Sequence, residues 1–296
     1  MDPIRVVVTR GSFVESVHLV HAVAVQDGAV AAEAGDPSLL TSLRSSAKPF
    51  QALPLVRSRD DLDDRDVAIA SASHRAEPEQ IEAVRALLAK AGASEADLDC
   101  GLQDGRPPEP LYHNCSGKHA GMLATCRARG WDRSGYRNAD HPLQRELLST
   151  VAAAAEMEAR EIETAVDGCG VVAFALPLER AAFMFSRLAE QDGGTRVVAA
   201  MRGHPQLIGG RDTTDTVLMK ALPGWIAKGG AEGLLCAAGP DGLGVALKAA
   251  DGTHRALGPA AASFLGRLGH TVGGSLPRTP VLNSHGERVG EIVAAL

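Results

Sequence analysis

Strand-like sequence occupies the two ends of this chain and helix-like sequence the long stretch between them, an order that restricts the available folds more than any single motif does. His18 to Val25 is rich in Val and Ala, Asp27-Gly28 supplies residues that a tight turn prefers, and Ala29 to Ala34 returns, so a hairpin is expected near the start. Near the other end, Gly233 to Ala238 and Leu243 to Ala249 are short apolar runs, Asp251-Gly252 marks a turn, and Leu257 to Leu268 reads as a helix. Between these, Ser45 to about Val56 is expected to be helical, with Pro49 among the first-turn amides that have no intrahelical acceptor anyway. Glu77 to Ala91 places Ile81, Val84, Leu87 and Leu88 on one face and stops at Gly92. Ser116 to Arg129 stops at Gly130, and Pro142 to Glu156 holds Leu143, Leu147, Leu148 and Val151 in helical register. Leu178 to Glu190 and Arg196 to Arg202 add two more helices, separated by Asp192-Gly193-Gly194. The fold class that satisfies this order is α/β in the α+β sense: one mixed sheet made from both chain ends, with flanking helices and an inserted helical section. A single domain over 1–296 is expected, its sheet part at about 1–60 and 220–296 and its helical part at about 75–215.

Composition narrows the function. With 45% hydrophobic and 22% charged residues in 296, the chain has the balance of a folded globular protein. Thirty Lys plus Arg against 36 Asp plus Glu give a net charge of -6, so no global positive field draws in nucleic acid, and 3% aromatics leave little surface for stacking bases. The longest run of apolar, Gly and Pro residues, Gly170 to Leu178, is far shorter than the roughly 20 residues a membrane helix needs. Neither nucleic acid nor membrane is expected as a partner. The opening MDPIRVVV has no basic segment followed by an apolar run, so a cytoplasmic location is expected. Five cysteines, an odd number, then read as buried thiols or metal ligands in preference to a disulfide framework.

Three segments are able to carry chemistry. Ser45 and Lys48 stand three apart at a predicted helix start, which puts the lysine amine on the same face as the serine hydroxyl. A lysine whose pKa is lowered by burial or by a nearby cation can take the serine proton and make the hydroxyl a nucleophile. Taken alone, the pair has a commoner meaning, an N-cap serine followed by a solvated lysine. Lys228-Gly229-Gly230 precedes a predicted strand, where Gly permits close approach of a substrate to the backbone, and Lys248 is the other lysine of that region. The combination of Ser-x-x-Lys with a later Lys on a strand resembles serine penicillin-binding proteins and lactamases, although their Ser-Asp-Asn element has no clear counterpart. The nearest is Ser71-Ala72-Ser73-His74, where Ser73 is placed to relay a proton. The third segment joins His113 to His119 with Val166 to Gly170. Its Cys115 and Cys169 lie in polar, Gly-containing turns that suit a thiolate-liking metal such as zinc, but their spacing matches no standard zinc motif. Buried thiols or a redox pair stand beside the metal reading, and His113 or His119 is the chemical first choice for a third ligand.

Together Arg44 to Phe50, Ser71 to Glu77, His113 to Gly121, Val166 to Gly170, Arg211 to Thr216 and Lys228 to Gly233 resemble the asparaginase II family, the Rhizobium etli type. The resemblance implies a fold similar to serine β-lactamases and glutaminases, a homodimer, and hydrolysis of L-asparagine to L-aspartate and ammonia. It implies Ser45 as nucleophile, Lys48 as its base, Ser73 as a second serine and Lys228 as a second lysine. It also implies an auxiliary zinc on Cys115, Lys118 and Cys169. Arg44, His74, Asn114 and Asp167 become candidates for binding the charged ends of the substrate. Two other readings stand beside this one: a lactamase-, penicillin-binding- or glutaminase-type hydrolase, and a non-catalytic zinc-stabilised binding protein.

Overall fold

A computed structural model describes residues 1–295. Eleven strands are present among them: β1 Ile4–Arg10, β2 Phe13–Gln26, β3 Ala29–Ala34, β4 Leu40–Ser42, β5 Glu163–Val166, β6 Val172–Pro177, β7 Ile226–Gly230, β8 Leu234–Ala238, β9 Gly244–Ala249, β10 Arg278–Leu282 and β11 Arg288–Ala294. The chain divides into two compact units. One comprises Met1–Thr41, Pro177–Ser186 and Val217–Leu296, and the other Ser42–Leu176 and Arg187–Thr216.

The first unit is built on an eight-stranded sheet in the order β10-β11-β1-β2-β9-β8-β7, with β3 also paired to β2. Both chain ends meet in it, as their apolar runs predict. Its pairings are antiparallel throughout rather than mixed, because the connected neighbours return through turns and none needs a parallel crossover. The strand β2 is long enough to serve two partners on one edge, β1 along Phe13 to Val20 and β3 along Ala22 to Gln26, while β9 lies along its other edge. Register follows the period-2 pattern. Ile4, Val20 and Ala249 face one another across three strands, and all three are buried. In β8 every residue from Leu234 to Ala238 is buried, which explains why that segment reads as a continuous apolar run and not as an alternation. The helices Leu178–Ser186 and Leu257–Arg267 pack on the sheet. Gly244 permits a close approach of β9 to the helix Leu178–Ser186, since a Cβ there would lie 2.2 Å from the Ala182 carbonyl oxygen.

The second unit is mainly helical. Pro78–Ala91 and Pro142–Ala155 fall where the apolar periodicity predicts, and Ser116–Arg129 fills the stretch expected to stop at Gly130. Gly92 and Gly130 end the first two in the left-handed conformation, and Glu156 ends the third with φ of 50°. A helix at Asp64–Ala70 was not anticipated; its box of Asp63 and Asp66 caps seven residues too few to show a period. The expected helix from Ser45 to Val56 is instead a 3₁₀ turn, Arg44–Ala47, followed by the short helices Lys48–Gln51 and Leu53–Ser58. Pro49 and Pro54 each occupy the second position of one of these helices, and Pro54, which lacks an N–H, cannot continue the first. The stretch 178–190 is likewise a helix to Ser186 and then a separate 3₁₀ turn. Gly117 lets the helix Ser116–Arg129 touch the Asp64–Ala70 helix: a Cβ there would sit 2.3 Å from the Ile69 carbonyl oxygen. That contact brings the end of one helix, leading into Ser71 to His74, beside the start of the other. Among the described residues no helix is long and apolar enough to cross a membrane.

Candidate active site

The boundary at 41/42 places Ser45 and Lys48 in the helical unit, with most of the other residues singled out from sequence. Arg44 adopts φ of 43°, a left-handed conformation that is costly for a residue with a side chain. It is fastened by an ion pair from its Nε to Asp167 Oδ1 at 2.7 Å. Asp167 Oδ1 also accepts from the Gly168 N–H at 2.7 Å, and the Asp167 carbonyl accepts from Gly170 N at 2.8 Å, so a tight turn holds the carboxylate. Ser45 follows, half-buried, and the Lys48 N–H donates to its carbonyl, closing the 3₁₀ turn.

Lys48 is 1% exposed. Its ammonium nitrogen donates to the Ala72 carbonyl at 2.6 Å and to Ser73 Oγ at 2.9 Å, with the Asn114 carbonyl at 3.5 Å. The two segments that form this cradle are tied together, since His74 N donates to Asn114 O at 3.1 Å. Ser73 N is anchored on Ile208 O at 2.8 Å. Two backbone carbonyls and the Ser73 hydroxyl are thus among the partners of the buried amine.

His74 is completely buried. Its Nδ1 accepts from Ala76 N at 3.1 Å, which leaves the proton on Nε2 to be donated to Ser116 Oγ at 2.7 Å, and Ser116 Oγ donates in turn to Leu111 O at 2.7 Å. Burial, with Lys48 and Arg106 as further positive neighbours, pushes the His74 pKa down to about 3, so the ring is neutral. Both nitrogens are engaged inside the protein. Asn114 presents its side-chain oxygen to Cys115 Sγ at 3.1 Å.

Cys115, Cys169 and Lys118, from segments more than 50 residues apart in sequence, come together and are all buried. Lys118 Nζ donates to Cys169 Sγ at 3.0 Å. A hydrogen bond from Cys169, and then the charges of Lys48 and Lys118, hold the Cys115 thiol well below its ordinary pKa against the opposing effect of burial. The same hydrogen bond and burial push Cys169 up. Burial works against the Lys118 charge, yet Cys115 and Cys169 more than offset it and raise the pKa of the ammonium. The two sulfurs are of the ligand type zinc takes, whereas the Lys118 nitrogen is engaged as a donor to Cys169 Sγ and would have to lose a proton to join them. Among the described residues no three His, Cys, Asp or Glu side chains are grouped to hold a metal, so neither His113 nor His119 completes the cysteine pair. The His113 ring accepts from Cys115 N at 3.0 Å, and His119 Nδ1 meets the Tyr136 hydroxyl at 2.7 Å while its buried Nε2 has no hydrogen-bond partner.

The sheet unit holds both candidates for the second lysine, Lys228 and Lys248. Lys228 on β7 is 1% exposed, lies opposite Cys236 in register, and donates to the Gly229 carbonyl at 2.8 Å. Lys248 on β9 is half-buried and donates to Glu232 O and Ala249 O, each at 2.7 Å. Burial lowers the Lys248 pKa.

Sequence reasoning missed Gln103, Arg106 and Ser116. Gln103 and Arg106 sit in an irregular loop that has no periodicity to flag them, and Ser116 reads as an ordinary helix start.

A search of curated proteins returns no match to the chain. Among solved structures it is similar to a β-lactamase (Mb2281c) from Mycobacterium bovis at 15% identity and a TM-score of 0.32, over 79% of this chain and 88% of that one. The family model described as L-asparaginase II matches residues 6–294. That match reaches into both units and covers every candidate site residue described above, and the chain therefore belongs to the L-asparaginase II family of amidohydrolases.

Proposed function

We propose that the protein hydrolyses L-asparagine to L-aspartate and ammonia through an acyl-enzyme on Ser45. The observation that carries this reading is the Lys48 amine, buried one turn from Ser45 and 2.9 Å from Ser73 Oγ. In its neutral form the amine donates one proton to Ala72 O and keeps its lone pair for a hydroxyl proton. Ser45 Oγ bonds to the side-chain carbonyl carbon of asparagine as its proton passes to Lys48 Nζ. Collapse of the tetrahedral intermediate breaks the C–N bond, and the proton returns through Ser73 Oγ to the leaving nitrogen, releasing ammonia. Water then attacks the ester, its proton following the same route, to give aspartate and restore Ser45.

Arg44 and Asp167 hold the serine turn in this reading, and whatever substrate contact they make comes from the edges of an existing ion pair. Asn114 keeps a role in substrate binding, whereas His74 supports the cradle from behind. Lys228 is assigned as the second lysine of the family resemblance, supplying positive charge. Zinc would be held by Cys115, Lys118 and Cys169 and would supply fixed positive charge that orients a polar end of the substrate. A homodimer acting in the cytoplasm completes the proposal, and light scattering on the purified chain tests the dimer.

The experiment is ammonia release from asparagine, glutamine and β-aspartyl compounds by the wild type and by Ser45→Ala. Asparagine turnover that vanishes in the variant, with an unchanged thermal melt, is expected. Wild-type turnover by Ser45→Ala would remove the nucleophile and with it the proposed route.

A further inference from the structure

The loop between Cys100 and Glu109 sends two polar side chains toward the segments that form the Lys48 cradle. Gln103 Oε1 accepts from Asn114 N at 2.8 Å. Arg106 Nη1 donates to Tyr112 O at 2.7 Å and to His74 O at 3.2 Å, and Nη2 donates to His74 O at 3.2 Å. One side chain therefore grips the 112–114 segment alone, and the other clamps that segment to residue 74. All these bonds end within two residues of the acceptors that surround Lys48 Nζ: Ala72 O, Ser73 Oγ and Asn114 O.

The loop is itself fixed at its base and open at its tip. The Cys100 thiol donates to Pro110 O at 3.3 Å, and Asp99 N donates to the Tyr136 hydroxyl at 2.9 Å. Leu102, Asp104, Gly105, Pro107 and Pro108 are exposed, while Gln103 and Arg106 are half-buried. Gly101 and Gly105 both take φ of 74°, which turns the chain so that the two polar side chains point inward from an otherwise solvent-facing loop. A loop kept only to connect two elements has no need to spend its two inward side chains on backbone groups of the same cradle.

We infer that Gln103 and Arg106 are positioning residues that set the placement of the Ala72-Ser73 and Asn114 acceptors around the Lys48 amine. The inference rests on the Ser45–Lys48 reading above and extends it to residues that touch neither. Loss of the Gln103 acceptor leaves Asn114 N unpaired, and loss of Arg106 frees His74 O and Tyr112 O; in either case the cradle relaxes and Lys48 leaves the line to the hydroxyls. A shift of about 1 Å in such an arrangement costs up to about a hundredfold in rate.

The test uses the full chain and a fluorophosphonate probe, whose rate of attachment to Ser45 reads nucleophile activation without the natural substrate. Gln103→Ala and Arg106→Ala are expected to slow labelling by about tenfold to a hundredfold, and to lower kcat for asparagine while KM stays within about twofold. Gln103→Glu keeps an acceptor for Asn114 N and is expected to label near the wild-type rate, and added guanidinium is expected to restore much of the Arg106→Ala rate. Alanine variants that label as fast as wild type overturn the inference, as does a loss that neither Gln103→Glu nor guanidinium relieves. Failure of wild-type Ser45 to label, together with no ammonia release, overturns the Ser45 reading instead. The positioning claim is then decided by the ¹⁵Nζ resonance of Lys48, identified by its absence in Lys48→Met: a shift in both alanine variants sustains it, and an unmoved signal sinks it.

Discussion

Lys48 Nζ and Ser73 Oγ lie 2.9 Å apart, joined across 25 residues of sequence, with the amine also held by Ala72 O at 2.6 Å. The amine is thereby aimed by the backbone of the segment that carries its hydroxyl partner. Lys48→Ala and Ser73→Ala should each lower kcat, by about a hundredfold or more, and the double variant should be little worse than Lys48→Ala because the two share one proton path. Steady-state ammonia release from all three variants checks this, and fully additive losses would separate the residues.

The left-handed Arg44 requires a restraint, and the Asp167 carboxylate at 2.7 Å supplies it. Asp167→Asn and Arg44→Lys are each expected to lower kcat about tenfold, and denaturant melts of the two variants and their combination should give a coupling of about 1 kcal/mol. Independent effects would show that the pair does not act on the serine turn.

Much of this was legible beforehand, and the boundary of legibility is physical. Asp27-Gly28, Gly92 and Gly130 were readable because turn and cap geometry is local to a few residues. The sheet from both chain ends was readable from the placement of apolar runs, yet β1 and β7 drew no strand reading, and neither did β10 and β11, since Arg278–Leu282 and Arg288–Ala294 are half-exposed and mix charge with aliphatics. Ser45 and Lys48 were marked by residue type and spacing, and Ser73 only by the resemblance to lactamase-type and asparaginase II sequences. The pairing of Arg44 with Asp167 spans 123 residues and leaves no trace in either segment. Arg106 is one arginine among many until its three hydrogen bonds to two carbonyls, His74 O and Tyr112 O, are seen.

His74 fixes a pH dependence of stability. Its folded pKa of about 3 lies below the ordinary 6.5, so the unfolded chain binds the extra proton between those values. The contribution of neutral, buried His74 is therefore complete above about pH 6.5 and is lost progressively as pH falls toward 3, with a slope of about 1.4 kcal/mol per pH unit. Urea melts at several pH values should show a shallower acid slope for His74→Gln than for wild type. Equal slopes would contradict the assignment.

Cys115→Ser and Cys169→Ser are each expected to lose bound zinc by elemental analysis. Lys118→Met should weaken occupancy, and zinc content should fall with pH because the ligands must shed protons to bind. If the metal orients substrate, its loss raises KM more than it lowers kcat. Full zinc content in the double cysteine variant would dismiss the site, and collapse of kcat at unchanged KM would make the metal part of the reaction.

Lys228 and Lys248 are distinguished by surroundings. Lys228 is buried and Lys248 half-buried, and both donate to backbone carbonyls, Lys228 to Gly229 O and Lys248 to Glu232 O and Ala249 O. Lys228→Met should reduce turnover by at least about a hundredfold, and Lys248→Met by less than about threefold. The opposite ranking in ammonia release would transfer the role to Lys248.

The sheet unit is assembled from three separated stretches of chain, and β1 pairs with β11 at the far end of the sequence. During synthesis β1 to β3 emerge first but have no completed sheet to join until residues 226–294 follow, whereas the helical unit has all its residues by Thr216. Nascent β2, with Val20, Val23 and Val25 uncovered, must therefore pass through a window of more than 200 residues in which its edge toward β9 is open to foreign strands. The order of elements that makes the fold recognisable thus also sets when, on the ribosome, this chain is most exposed to aggregation.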